Sequence, residues 1–70
     1  MNDSLNWESS YAIAMALREK FPAMNLEDIS LDAIYKLVIE LEDFNDDHEM
    51  VNDAILMSIC QVWYEESTAQ

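Results

Sequence analysis

The sequence predicts a mainly α, single-domain fold of three helices with at most short extended segments. Three observations carry this. The 70 residues contain no glycine and one proline, whereas an all-β sandwich or barrel needs turn residues between its many short strands. The chain is 51% hydrophobic and 10% aromatic, which is too apolar for a disordered acidic tail. Apolar residues also recur at helical spacing in three separate stretches. A chain this short makes one domain, with about 3–5 kcal/mol of net stability from its core.

The first helix is expected from Ser9 or Ser10 to Lys20. Serine is a good N-cap because its hydroxyl accepts from the orphan backbone N–H groups. Ile13, Ala14, Leu17 and Phe21 give the apolar face. Pro22 restricts the residue before it and stops the helix. Arg18 and Lys20 sit in the last turn, where cations suit the negative end of the dipole. Residues 23–29 form a connector, with a short extended piece around Leu26–Ile29. Ser30 reads as the N-cap of the second helix, with Asp32 in its first turn. Its buried stripe is Ile34, Leu37, Val38 and Leu41.

Phe44 interrupts an acidic run and is expected to plug back into the core. The third helix is expected to start near Asp46, where Asp46 and Glu49 have capping-box spacing. Ile55, Ile59, Val62 and Trp63 form its main face, with Leu56 and Cys60 beside them, and it fades at Glu65–Glu66. Residues 1–8 then read as an N-terminal segment, 9–66 as the helical domain and 67–70 as a disordered tail. Three helices with one short extended connector fit a small helical or winged-helix-like domain.

Charge is distributed unevenly. Six of the ten residues from Glu40 to Glu49 are carboxylates, and Lys36 is the last base in the chain. Residues 37–70 carry nine acids and no base, a formal charge of -9. Residues 1–36 carry six acids and three bases, which brings the total to -12. Such a field repels itself and attracts cations or basic protein surfaces. Asp46, Asp47 and Glu49 would complement the N-terminus of the third helix. Glu40, Glu42 and Asp43 at the end of the second helix, and Glu65 and Glu66 at the end of the third, have the wrong sign for a helix C-terminus. They read as either a used surface or a solvated acidic face.

Several function classes are excluded or disfavoured. Phosphate contacts need Lys and Arg, and there are three in all. Without glycine there is no phosphate loop and no dinucleotide fingerprint. One cysteine gives no disulfide framework and too few thiolates for an iron–sulfur cluster. An EF-hand beginning at Asp43 fails at position 6, where His48 replaces the turn glycine, and at position 12, where Ala54 replaces the bidentate Glu. A looser metal site is open to Asp43, Asp46 and Asp47, whose oxygens suit Mg, Ca, Mn or ferrous iron, with His48 as a nitrogen donor or simply a solvated loop residue. Cys60 reads as a buried structural thiol. No catalytic constellation appears, so an enzyme is not expected. Trp63 reads as core, and Tyr64 beside Glu65–Glu66 as an interface edge. The methionines read as core filler and loop residues. The apolar runs are far shorter than the ~20 residues that span a bilayer, and Met1–Ser4 lacks a basic signal-peptide start. A cytosolic, soluble protein is expected.

One set of residues resembles a known family. Leu5-Asn6-Trp7, Ile13, Leu17, Phe21-Pro22, the run Leu41-Glu42-Asp43-Phe44-Asn45-Asp46-Asp47, Ile55-Leu56, and Val62-Trp63 with Glu65-Glu66 together resemble the IscX (YfhJ) family. These are small acidic proteins encoded with the bacterial iron–sulfur cluster assembly machinery. The likeness runs without gaps from about Leu5 to Glu66. It implies a winged-helix-like, mainly helical fold. It also implies docking on a basic surface of the cysteine desulfurase that overlaps the frataxin site, with weak, transient binding of ferrous iron through surface carboxylates. The resemblance implies an adaptor, regulator or iron donor in cluster assembly, and not an enzyme.

Carried over, the implied positions are Glu42, Asp43, Asp46 and Asp47, with Glu65 and Glu66 as a second acidic group; the metal set expected here adds His48, a departure from the family, as a nitrogen donor. The expected partner-binding positions are these six, Glu42, Asp43, Asp46, Asp47, Glu65 and Glu66, together with Glu40 from the acidic run. The family usually has proline where this chain has His48. On these grounds the chain is expected to be a monomeric accessory protein with no bound cluster, no nucleic acid and no membrane. The rival readings are a calcium or manganese module and a DNA-mimic inhibitor.

Overall fold

The computed structural model describes residues 5–68, and within them lie three helices: α1 (Ser10–Lys20), α2 (Leu31–Ile39) and α3 (Asp53–Thr68). The α3 helix packs chiefly on α1 and also on α2. The core has one layer. Ile13, Ala14 and Leu17 from α1, Ile34 and Val38 from α2, and Leu56, Ile59 and Trp63 from α3 are buried together with Trp7 and Leu41. The mainly α, three-helix architecture is therefore as the sequence predicts. Among the described residues there is no strand, so a winged-helix hairpin has no counterpart. A single parallel bridge joins Leu5 to Phe44 instead.

The helix starts explain themselves locally. Ser30 Oγ accepts from the Ala33 amide at 3.1 Å, the expected cap of α2. Ser9 occupies the cap position of α1 but makes no side-chain cap bond. Its hydroxyl turns back and donates to Asn6 Oδ1 at 3.2 Å, the same oxygen that accepts from the Glu8 amide at 3.0 Å. The α1 helix ends before Pro22, with the Phe21 amide on the Leu17 carbonyl at 2.8 Å. The connector at Leu26–Ile29 is turned and not extended. Asn25 Oδ1 takes the Glu27 amide at 3.0 Å, an Asx turn that competes with strand geometry.

The start of α3 differs most from expectation. It begins at Asp53, and its cap is Asn52, whose Oδ1 accepts from the Ile55 amide at 2.9 Å. Asp46 and Glu49 form no capping box, because the Asp46 carboxylate is taken by other amides. Within α3, Leu56 lies in the core, and Ile55, Val62 and Cys60 are half-buried, so the buried face is centred on Leu56, Ile59 and Trp63. Helix α3 also runs past Glu66. The Thr68 hydroxyl shares its proton between the Tyr64 carbonyl at 3.1 Å and the Glu65 carbonyl at 3.3 Å, the second of which is among the four that a helix end leaves open. Ser67 and Thr68 thus belong to the helix, while the remainder of the expected tail, Ala69–Gln70, and residues 1–4 lie outside the described residues.

The N-terminal segment is part of the globule from Leu5 onward. Trp7 is 3% exposed. Its ring meets Phe44 edge-on, with centroids 4.6 Å apart, and stacks beside Tyr35 at 6.2 Å. Phe44 does plug back toward the core, as expected.

Candidate functional site

The acidic run between α2 and α3 folds into a loop fastened to the N-terminal segment. The Leu5 amide donates to the Asp43 carbonyl and the Asn45 amide to the Leu5 carbonyl, both at 2.8 Å. Trp7 makes two further ties. Its backbone amide donates to Asp46 Oδ2 at 3.0 Å, and its indole Nε1 donates to the Asp47 carbonyl at 2.8 Å. These bonds satisfy groups that a buried Trp would otherwise strand. They also place the loop backbone at a defined position relative to the core.

The acids in the loop divide into two kinds. Asp46 is committed. Besides the Trp7 amide, its Oδ1 accepts from the Asp47 amide at 2.7 Å. These two amides, Trp7's first, hold its carboxyl below the usual carboxylate range against a smaller opposing effect of desolvation. Asp47 is partly committed, since its Oδ1 accepts from the Glu49 amide at 3.0 Å. Glu42 and Asp43 are free in this sense: both are exposed, and their carboxylates accept no hydrogen bond among the described residues. Glu40 caps the C-terminus of α2 and is exposed. Its charge opposes the dipole there, whereas Glu42 and Asp43 lie beyond the helix, outside the reach of that argument.

Glu42 and Asp43 border a hollow floored by Leu5, Ala16 and Leu41 and edged by Glu19 and Lys20 of α1. Glu19 also borders a second hollow with Arg18, Pro22 and Ser67, at the C-terminal end of α3. It therefore sits between the loop and the helix end that carries Glu65 and Glu66. Sequence reading passed over Glu19 because it lies between two bases, Arg18 and Lys20. Lys20 borders the same hollow as Glu42 and Asp43, but among the described residues no Lys or Arg forms an ion pair with a loop carboxylate. Among the described residues the one ion pair is Lys36 with Asp32 at 3.2 Å, and the Lys20 ammonium lies 5.9 Å over the Phe21 ring.

The metal reading gains little from this geometry. Among the described residues, no three His, Cys, Asp or Glu side chains gather as a metal-binding group. His48 is exposed, and its ring lies 6.3 Å from that of Phe44. The oxygens of Glu42, Asp43 and Asp47 have the right hardness for ferrous iron, calcium or manganese. They lack a preformed shell, so any such ion would keep most of its water. Cys60 is half-buried, in place of the expected full burial, and desolvation pushes its thiol pKa up. A protonated thiol is a poor nucleophile and a poor metal ligand.

No helix among the described residues is long and apolar enough to cross a membrane. A family model described as iron-sulphur cluster assembly matches residues 5–68. A protein of Pseudomonas aeruginosa, described as uncharacterized, is 30% identical to the chain over 63 residues, covering 90% of this chain and 96% of that protein.

Proposed function

The chain belongs to the iron-sulphur cluster assembly family of IscX/YfhJ proteins, and we propose that it is an adaptor that docks its acidic loop on a basic patch of the cysteine desulfurase. The observation that carries this is the division of labour in the loop. Asp46 is spent on holding the backbone to Trp7, while the neighbouring Glu42 and Asp43 stand exposed and unpaired. A fixed backbone presenting unpaired charge suits fast, oriented encounter with a basic surface. Glu40, Asp47 and Glu19 extend the face, and Glu65 and Glu66 form its second group. Asp46 adds charge to the field, but its main work is structural.

The same face takes ferrous iron as a weakly held cargo or signal through Glu42, Asp43 and Asp47, with His48 within reach of the loop. The chain holds no cluster of its own. It acts as a cytoplasmic monomer without a catalytic step, and it competes with frataxin for the desulfurase. Its role in iron–sulfur cluster assembly rests on the family match; the desulfurase and the iron are proposed on the likeness of the loop residues. Calorimetric titration into the desulfurase of the assembly system is the test. Binding at low salt that weakens as salt rises supports the proposal. No binding at low salt contradicts it.

A further inference from the structure

Helix α3 carries two apolar stripes, and the core uses one of them. Leu56, Ile59 and Trp63 are buried. One position along, Met57, Cys60 and Tyr64 fall at i, i+3 and i+7, a second line down the helix. Met57 is 59% exposed and Tyr64 is 44% exposed, while Cys60 is half-buried. Leu26 from the α1–α2 connector and Leu31 at the start of α2 face this line. With Gln61 they close a shallow groove of about 320 Å³. None of the six lining residues is charged, and none belongs to the acidic loop.

Scattered exposed apolar residues are ordinary, but a contiguous apolar groove with a polar rim marks an interaction site. Here the rim is acidic. Gln61 Nε2 donates to Glu65 Oε2 at 3.2 Å, which puts a carboxylate beside a lining residue. Exposed Glu27 and Asp28 directly follow Leu26 in the chain, while Asp32, next to Leu31, is paired with Lys36 at 3.2 Å and adds no free charge.

That charge narrows the choice of occupant. A second copy of a chain with net charge -12 would bring acid against acid. An anionic membrane or a nucleic acid meets the same repulsion. A protein segment with large aliphatic residues on one face and Lys or Arg beside them fits both parts. Its aliphatic side chains would cover the floor, and the long basic stems would lie along the apolar edge with their charges at the rim. The i, i+3, i+7 line of α3 matches a helix laid alongside it, and the pliable Met57 side chain can adapt to what lands there. We propose that this groove is a second docking site, separate from the acidic loop, for a basic amphipathic helix of a partner protein.

The test uses the full chain, labelled with ¹⁵N, and three synthetic peptides of about 15 residues, long enough to begin to form a helix. The first has Leu on one face and Lys on the other. The second replaces Leu by Ser at the same charge. The third keeps Leu and replaces Lys by Glu. The Leu/Lys peptide is expected to shift the amides of Met57, Cys60, Gln61 and Tyr64 saturably. Its affinity should exceed that of the Ser/Lys peptide by about tenfold or more, the gain from burying one Leu-sized anchor. The Leu/Glu peptide should not bind.

A Met57→Ser/Tyr64→Ser variant changes only exposed side chains, and a circular dichroism melt checks its fold. It should erase the difference between the first two peptides while leaving the loop's response to Ser/Lys intact. Equal affinity of the first two peptides with shifts confined to residues 40–49 would overturn the proposal. So would binding of the Leu/Glu peptide, or groove shifts that grow with protein concentration without peptide. None of these readouts involves the desulfurase, so the outcome is separate from that of the loop.

Discussion

The backbone amide of Trp7 donates to Asp46 Oδ2 at 3.0 Å across 39 positions of sequence. With the Asp47 amide on the other oxygen at 2.7 Å, both oxygens of an exposed carboxylate are occupied by main-chain donors. The bond joins the first described residues to the loop between α2 and α3, and it makes Asp46 a structural residue in a run whose Glu42 and Asp43 accept no hydrogen bond among the described residues.

Acid stability follows from this. The folded pKa of Asp46 is depressed, so its contribution is present above the unfolded value, near 3.9. It is lost as pH falls through the lower folded value. Asp46→Asn should therefore be less stable than the parent at neutral pH, with a gap that narrows below about pH 4. Urea midpoints measured from pH 7 downward check this. A gap that is constant with pH would show that the carboxylate's ionisation plays no part. Asp43→Asn is the control, with a stability change within about ±0.5 kcal/mol because its carboxylate holds nothing.

Trp7 should be the most sensitive position outside the helices. Trp7→Phe keeps an aromatic ring but loses the Nε1 bond to the Asp47 carbonyl and some volume, at about 1–3 kcal/mol. Trp7→Ala should cost about 3–5 kcal/mol, comparable to the whole stability of a domain this small, and leave the chain largely unfolded. Urea denaturation followed by circular dichroism measures both. Full retention of the wild-type midpoint in Trp7→Ala would mean that the N-terminal segment does not hold the fold.

His48 explains why proline is at home here. The Met50 amide donates to the Asp47 carbonyl at 3.1 Å, which makes His48 the second residue of a four-residue turn. No described residue has positive φ, and proline favours that turn position. The reason is the turn, not the first position of a helix, since α3 begins five residues later. His48→Pro should stabilise by about 0.4–1 kcal/mol through the unfolded state. A lower thermal midpoint in that variant would contradict this geometry.

Much of the fold was legible because its signals are short-range. Ser30 caps α2, Pro22 ends α1, and the stripes Ile13–Ala14–Leu17 and Ile34–Val38 lie where helical spacing puts them. Some misreadings came from local side-chain bonds, the Asn25 turn and the Thr68 hydroxyl, and the larger ones came where long-range bonds outcompeted local ones. Asp46 and Glu49 have capping-box spacing, yet the Trp7 amide claims the Asp46 carboxylate and the helix waits for Asn52. Leu5 and Trp7 read as part of an N-terminal segment ahead of the helical domain because their partners lie about 40 residues away. The acidic positions were all visible in the sequence. What separates Asp46 from Asp43 was not, because it depends on which side chain faces an amide from another part of the chain.

The distinction between free and committed acids allows a direct test of the docking claim. Reversing Asp43, Asp46 and Asp47 together would confound binding with folding, since Asp46 holds Trp7. Glu42→Lys/Asp43→Lys changes only the unpaired pair. The decisive measurement is the calorimetric affinity of this double variant for the cysteine desulfurase at low salt, beside its thermal midpoint. The account predicts an unchanged or higher midpoint with affinity reduced by about tenfold or more, as for opposite charges turned into like ones. An affinity equal to that of the parent chain, in a variant that folds, would contradict docking through the acidic loop.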